Sequence, residues 1–296
     1  MNLGSKNFMM LFLQLLLIVF ISMLFSLLIS AGIMALFDNN NMVVMKSVQG
    51  IVQIFTFMLP AIFFLKINKV EIKSFLGFDV KLPWKITLLS FLLFAAVIPM
   101  VDWLMIVNDG FVFPEWMSGF EARMQSMQKM NEELIIKFLS VNNIGALLFN
   151  IFIIALIPAI GEELIFRGVL QKLLVNKMRS AHLAIIITSI IFSALHFEFY
   201  AFLPRIILGM VLGYTFYYTG NIIIPMIIHF INNAVSVVTY YYHFNYINNG
   251  EPLDTLSTSS YSNIYYALIS LAVSAAILYL IIRQFKNNKQ TKILDE

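Results

Sequence analysis

The chain contains no cysteine. That absence excludes a disulfide framework, a thiolate metal site and a cysteine nucleophile. Charge is scarce too: Asp, Glu, Lys and Arg make up 12% of the 296 residues, against about 25% in a soluble globular domain. Hydrophobic residues account for 60%. This balance suits a chain whose solvent is lipid over most of its length. The net charge of +3 is small and the basic residues are dispersed, so no nucleic-acid partner is indicated. The sequence shows no internal repeat, Gly-rich phosphate loop or low-complexity tract.

What is present is a series of apolar runs, each near the ~20 residues that span a bilayer. They cover Phe8–Phe37, Val43–Leu65, Ile86–Val107, Gly145–Leu174, Leu183–His196, Phe202–Tyr218, Ile222–Tyr242 and Ile264–Ile282. The expected fold is all-α, a polytopic membrane helix bundle with about eight transmembrane helices. The first run is too long for a signal-peptide core and reads as an anchoring helix. Lys66, Lys69, Lys73, Lys81 and Lys85 follow the second run; Lys172, Lys177 and Arg179 follow the fourth; Arg283, Lys286, Lys289 and Lys292 follow the eighth. With alternating spans these clusters share one side, and Lys6 agrees, so both termini are expected to be cytoplasmic. The long connection Asn108–Asn142 reads as an amphipathic helix from Phe120 to Phe138. Its expected apolar stripe is Phe120, Met124, Met127, Met130, Leu134 and Phe138, lying along the outer interface or covering the bundle. Three regions result: 1–143 with the first helices and the amphipathic segment, 144–243 as a core, and 244–296 with an outer loop and a last helix.

Within that core, Glu162, His196, His229 and Asn233 lie inside stretches that otherwise read as membrane helix. A charged group at the bilayer centre costs about 2.5–3.5 kcal/mol on insertion scales, so such groups are usually tied to function. Glu163 and Arg167 are four apart and share a helix face, where an ion pair lowers the cost of burying either. Glu162 is rotated by about 100° from Glu163 and has no local basic partner, which suits a general base. His229 and Asn233 are again four apart, an imidazole and an amide on one face. At about 1.5 Å per residue, Glu162 lies roughly 22 Å from Lys177 and His196 roughly 21 Å from His182, depths compatible with one shared cavity.

These residues suit peptide hydrolysis. Glu162 can deprotonate a water that His196 helps to hold, while His229 and Asn233 donate to the oxyanion formed at the scissile carbonyl. A zinc ion held by Glu162, His196 and His229 is the other route, matching three-ligand catalytic zinc, although the helical H-E-x-x-H motif is absent. Plainer readings stand beside these. Glu163 with Arg167 can be a structural pair, the histidines and Asn233 can be interhelical glue, and His182, His243 and Glu198 fall at span ends, where an interface position is expected.

Glu162-Glu163-x-x-x-Arg167, then Phe192-x-x-x-His196, then His229-x-x-x-Asn233 resemble the motifs of the CPBP family of intramembrane metalloproteases, the CAAX prenyl protease 2 type, which includes abortive-infection-like members. The resemblance covers roughly Gly145–Tyr242, in motif order and spacing. It implies an eight-helix bundle in a bacterial plasma membrane that cleaves a membrane-associated protein or peptide, near its C-terminus, on a site reached from the cytoplasm. It further implies Glu162 as water activator, His196 as its partner and His229 with Asn233 as oxyanion donors, with Glu163, Arg167 and Phe192 in support. Two other functions fit the same polar residues: an ion-coupled transporter using Glu162, His196 and His229 as a proton relay, and a catalytically silent membrane scaffold or immunity protein.

Overall fold

The computed structural model describes residues 7–38, 41–111, 113–252 and 263–294, with side chains as far as Asn287. Lys6 and most of the expected outer loop (253–262) lie outside the described residues, as do the side chains of Lys289 and Lys292. Among the described residues nine principal helices follow one another: α1 (Phe8–Leu36), α2 (Met42–Ile67), α3 (Trp84–Asp109), α4 (Ser118–Leu139), α5 (Ile144–Met178), α6 (Ala181–Ala194), α7 (Phe202–Thr219, led by a 3-10 turn over Phe199–Ala201), α8 (Ile223–Ile247) and α9 (Ile264–Asn287). No strand occurs among the described residues. Seven of the helices, all but α4 and α6, are long and apolar enough to cross a membrane. The chain is an all-α integral membrane helix bundle.

The expected fifth span is corrected in length. α6 ends at Ala194 after 14 residues, a rise of about 21 Å that falls short of the ~30 Å hydrocarbon core. His196 therefore sits on the turn after α6, not on the helix itself.

Asparagine and serine start the helices because their side chains satisfy backbone N–H groups that have no partner in the first turn. Asn7 accepts from the Met9 N–H, Asn41 from Val43, Asn143 from Ala146 and Ser180 from Leu183. Gly220, in the left-handed region at φ +68°, closes α7.

Prolines inside spans are absorbed rather than used as stops. π-helical turns over Ile54–Met58 and Ile151–Leu156 come just before Pro60 and Pro158, where a proline ring would collide with the carbonyl one turn back. Pro99 interrupts α3, and Ser270 of α9 fills the gap: its hydroxyl accepts from the Met100 N–H and donates to the Ala96 carbonyl. Hydrocarbon itself offers these freed backbone groups no partner, and a serine on a neighbouring helix supplies one.

The main apolar core surrounds the inner half of α5, with Leu164, Ile165 and Val169 packed against Phe64 of α2, Phe192 of α6 and Phe216 of α7. A second cluster joins α3, α7 and α9 through Val97, Val211 and Ile281. α6 meets α7 at unusually short range across Gly209 and Gly213. A Cβ on Gly209 would stand 3.0 Å from Ser189 Cβ, and one on Gly213 would stand 2.8 Å from Ile185 Cγ2. This is the small-x-x-x-small stripe that lets helices approach in lipid.

α4 forms over the expected segment, but its stripe divides. Phe138 is buried and Met124 and Leu134 are half-buried, whereas Phe120, Met127 and Met130 are exposed. The side turned toward the bundle includes the polar Glu121, Gln128 and Glu132.

Candidate active site

α5 supplies the acidic residues at a change of helical geometry. Its α-helical piece Ile157–Glu163 ends on the two glutamates, and a π-helical stretch, Leu164–Gln171, begins directly after them. Every residue from Gly161 to Gln171 is buried. The sequence-derived ion pair is present: the Arg167 Nη1 donates to Glu163 Oε1 at 2.8 Å, with both side chains fully buried. Arg167 is also anchored to α7 through Nη2, which donates to the Gly209 carbonyl at 3.1 Å. One turn further along, Gln171 donates to the Gly213 carbonyl at 3.0 Å. The guanidinium lies 4.6 Å from the centroid of the Phe192 ring, a cation–π contact that favours this placement.

Glu163 Oε1 has a second partner, His229 Nδ1 of α8, at 2.8 Å. Because the arginine makes this carboxylate an acceptor, the imidazole donates from Nδ1, and its Nε2 is directed elsewhere. That Nε2 lies 3.8 Å from Glu162 Oε2. His196 reaches the same oxygen, with its Nε2 also at 3.8 Å. Its Nδ1 lies 2.7 Å from the Phe192 carbonyl; a carbonyl can only accept, so this ring too carries a proton on Nδ1. Two imidazoles with their tautomers set from behind thus face one carboxylate oxygen. The Phe192 ring packs edge-on to both, at centroid distances of 4.8 Å to His196 and 6.1 Å to His229.

Burial differs among the three side chains. Glu162 is 5% exposed, His229 8% and His196 28%. The open side of the cluster is therefore at His196. Asn233 lies one turn beyond His229 on α8 and is half-buried; its Oδ1 accepts from Asn232 Nδ2 at 3.2 Å. No hydrogen bond joins it to the other three. The structure thus brings Glu162, His196 and His229 together, backs them with Glu163, Arg167 and Phe192, and places Asn233 one turn along.

The ring orientations resemble those of metal-ligating histidines, whose second nitrogen is held by a carboxylate or carbonyl. Convergence is a separate requirement. Among the described residues no group of three or more His, Asp or Glu side chains is placed to hold a metal ion. As placed, Glu162, His196 and His229 form no such group.

Other polar groups have partners the sequence did not indicate. Glu198 pairs with Arg205 of α7 at 2.5 Å, both side chains half-buried. His182 bonds through Nδ1 to the Tyr214 hydroxyl at 2.9 Å. Gly209, Gly213, Gln171 and Arg205 were not singled out, although the G-x-x-x-G spacing of the glycines in an apolar run was a readable signal.

Comparison with known proteins bears on the same part of the chain. Residues 144–235 match the family model described as Rce1-like, type II CAAX prenyl endopeptidase. The matched region holds all three motifs. The chain is also similar to the Bacillus subtilis (strain 168) protein named uncharacterized protein YpbD, with 36% identity over 90 residues, 29% of this chain and 43% of that protein. The chain therefore spans less than half the length of that curated relative. No solved structure matches the chain.

Proposed function

We propose that the protein is an intramembrane endopeptidase of the CAAX protease type, in which Glu162 activates a water. One observation carries this reading: Glu162 Oε2 lies 3.8 Å from both His196 Nε2 and His229 Nε2. That spacing is too long for a direct hydrogen bond and suits groups that share a water.

In the proposed reaction the water donates to Glu162 Oε2 and to the lone pair of His196 Nε2. Glu162 takes its proton as the water oxygen bonds to the scissile carbonyl carbon, and the carbonyl π pair moves onto oxygen. His229 donates to this oxyanion from Nε2 when its ring carries both protons, a state for which Glu163 is the counter-ion at Nδ1. Asn233 adds the amide N–H of the pair. The intermediate collapses with C–N cleavage, and the leaving nitrogen takes the proton from Glu162. Glu163 and Arg167 orient His229 and touch no reacting atom.

The substrate proposed is a membrane-associated protein or peptide cut near its C-terminus, approaching from the open side at His196. Residues 144–243 form the catalytic core, framed by 1–143 and 244–296. The basic clusters support cytoplasmic termini, and the Bacillus relative supports a bacterial plasma membrane. The match to an endopeptidase family model favours this reading over a transporter or a silent scaffold.

The test uses the purified protein in phosphatidylcholine vesicles with a farnesylated peptide ending in a CAAX sequence. The native protein should cleave it, and Glu162→Ala should lose about a thousandfold in rate, as for removal of a general base, with unchanged membrane insertion. Cleavage by Glu162→Ala at the native rate would overturn the assignment. The chelator 1,10-phenanthroline should leave the rate within about twofold, whereas a zinc-dependent hydrolase would lose its water-activating group.

A further inference from the structure

The turn that carries His196 is held in a conformation its own residues disfavour. Phe197, immediately after the histidine, has φ +54°, a genuine outlier for a bulky side chain. Such a residue costs about 1–3 kcal/mol and persists only where the surroundings over-determine it. The Phe197 ring cannot supply that restraint, because it is 60% exposed. The restraint must act on the backbone on either side. Upstream, α6 holds His196 through the Phe192 carbonyl.

Downstream, the holding group comes from a different helix. Asn108, next to the last residue of α3, is 4% exposed. Its Nδ2 donates to the Phe199 carbonyl at 2.7 Å, and its Oδ1 accepts from the Leu203 N–H at 2.9 Å. One carboxamide thus brackets the 3-10 turn that returns the chain from His196 into α7. It also serves as an N-cap donated by another helix, since α7 has no side-chain cap of its own. Phe111 and Phe113, a few residues past Asn108, pack on the Phe199 ring at 5.6 and 4.7 Å. The Glu198–Arg205 pair spans the same turn but is partly exposed, and such pairs contribute little. Two hydrogen bonds in a buried setting are the stronger restraint.

We propose that Asn108 is a positioning residue for His196, setting the direction of its Nε2 toward Glu162 by locking the Phe199–Ala201 turn from α3. The kinetic side of this proposal rests on the hydrolase reading; its geometric side does not.

The experiment pairs two measurements on the full-length protein in phosphatidylcholine vesicles. The first is kcat and KM on the farnesylated CAAX peptide. The second is the ring 15N spectrum of histidine-labelled protein, which has four histidines in all, with His196 assigned through His196→Gln. Asn108→Leu, similar in size but without either hydrogen bond, should lower kcat about a hundredfold, the scale of a 1 Å misplacement, with KM nearly unchanged. The His196 ring should change from one Nδ1-protonated tautomer to a mixture, the other three rings staying as they were. Should Asn108→Leu fail to fold, Asn108→Asp keeps the shape and the acceptor for Leu203 but loses the donor to Phe199. It should give the same spectral change and about a tenfold loss, the worth of one hydrogen bond. A His196 spectrum unchanged in these variants overturns the proposal, even if kcat falls, because the loss would then be structural. If the native protein leaves the peptide intact while the His196 spectrum shifts, the hydrolase reading for this substrate fails and the role of Asn108 stands.

Discussion

α1 and α5 are both apolar enough to cross a membrane, yet 17% of the most apolar stretch of α1 is buried against 44% in α5. α1 exposes Leu16, Phe20, Leu24 and Leu28 and buries Leu11, Leu15 and Ile18. α5 runs through the middle of the bundle and buries a glutamate pair, an arginine and a glutamine. Hydropathy alone does not separate a helix bathed in lipid from one enclosed by protein. The charges do, because only protein can supply the partners that make burying them tolerable. Arg167 illustrates this: its neighbours are a carboxylate on its own helix, a carbonyl on α7 and the Phe192 ring on α6.

The contrast can be tested by substitution. Arg167→Met should be the most damaging to stability, about 3–5 kcal/mol, since it leaves Glu163 as a buried charge without its partner. Chemical unfolding in detergent would measure it, and Glu163→Gln added to Arg167→Met should recover part of the loss. If the single variant matched the native protein, enclosure of charge would not be what distinguishes α5. Gly213→Ala should cost less, about 1–3 kcal/mol, because the new methyl would meet Ile185 Cγ2 at 2.8 Å and Gln171 Oε1 at 2.9 Å. The same unfolding assay applies, and an unchanged midpoint would mean that α6 and α7 can separate without penalty. Leu28→Ala on α1 should barely register, within about 0.5 kcal/mol, because this side chain is 71% exposed and detergent or lipid fills the space it leaves. A large loss there would show that α1 has a protein partner on that face.

The parts of the site legible in the sequence were those tied to helical spacing. Glu163 with Arg167 and the His229-x-x-x-Asn233 face follow from the four-residue repeat, and the structure has the ion pair. Less legible was His196, which occupies a turn; reading it as helix placed it by arithmetic that does not apply beyond Ala194. The stripe on α4 was legible as a helix, with Phe138 buried and Phe120, Met127 and Met130 exposed. Asn108 gave no signal, because an asparagine at a helix end is ordinary until the chain it holds, ninety-odd residues later, is brought beside it.

The sequence by itself determined that the chain is helical and resides in lipid, where the helices begin, and which few charges had to find company. These follow from local chemistry: apolar length, caps and the cost of a lone charge in hydrocarbon. Only the tertiary structure decided the company itself. It brought Glu162 between two imidazoles from separate elements and fixed each ring from behind, through the Phe192 carbonyl and the Glu163 carboxylate. It also set α6 against α7 across two glycines. Those arrangements depend on how helices distant in sequence pack together, and no local pattern carries that information.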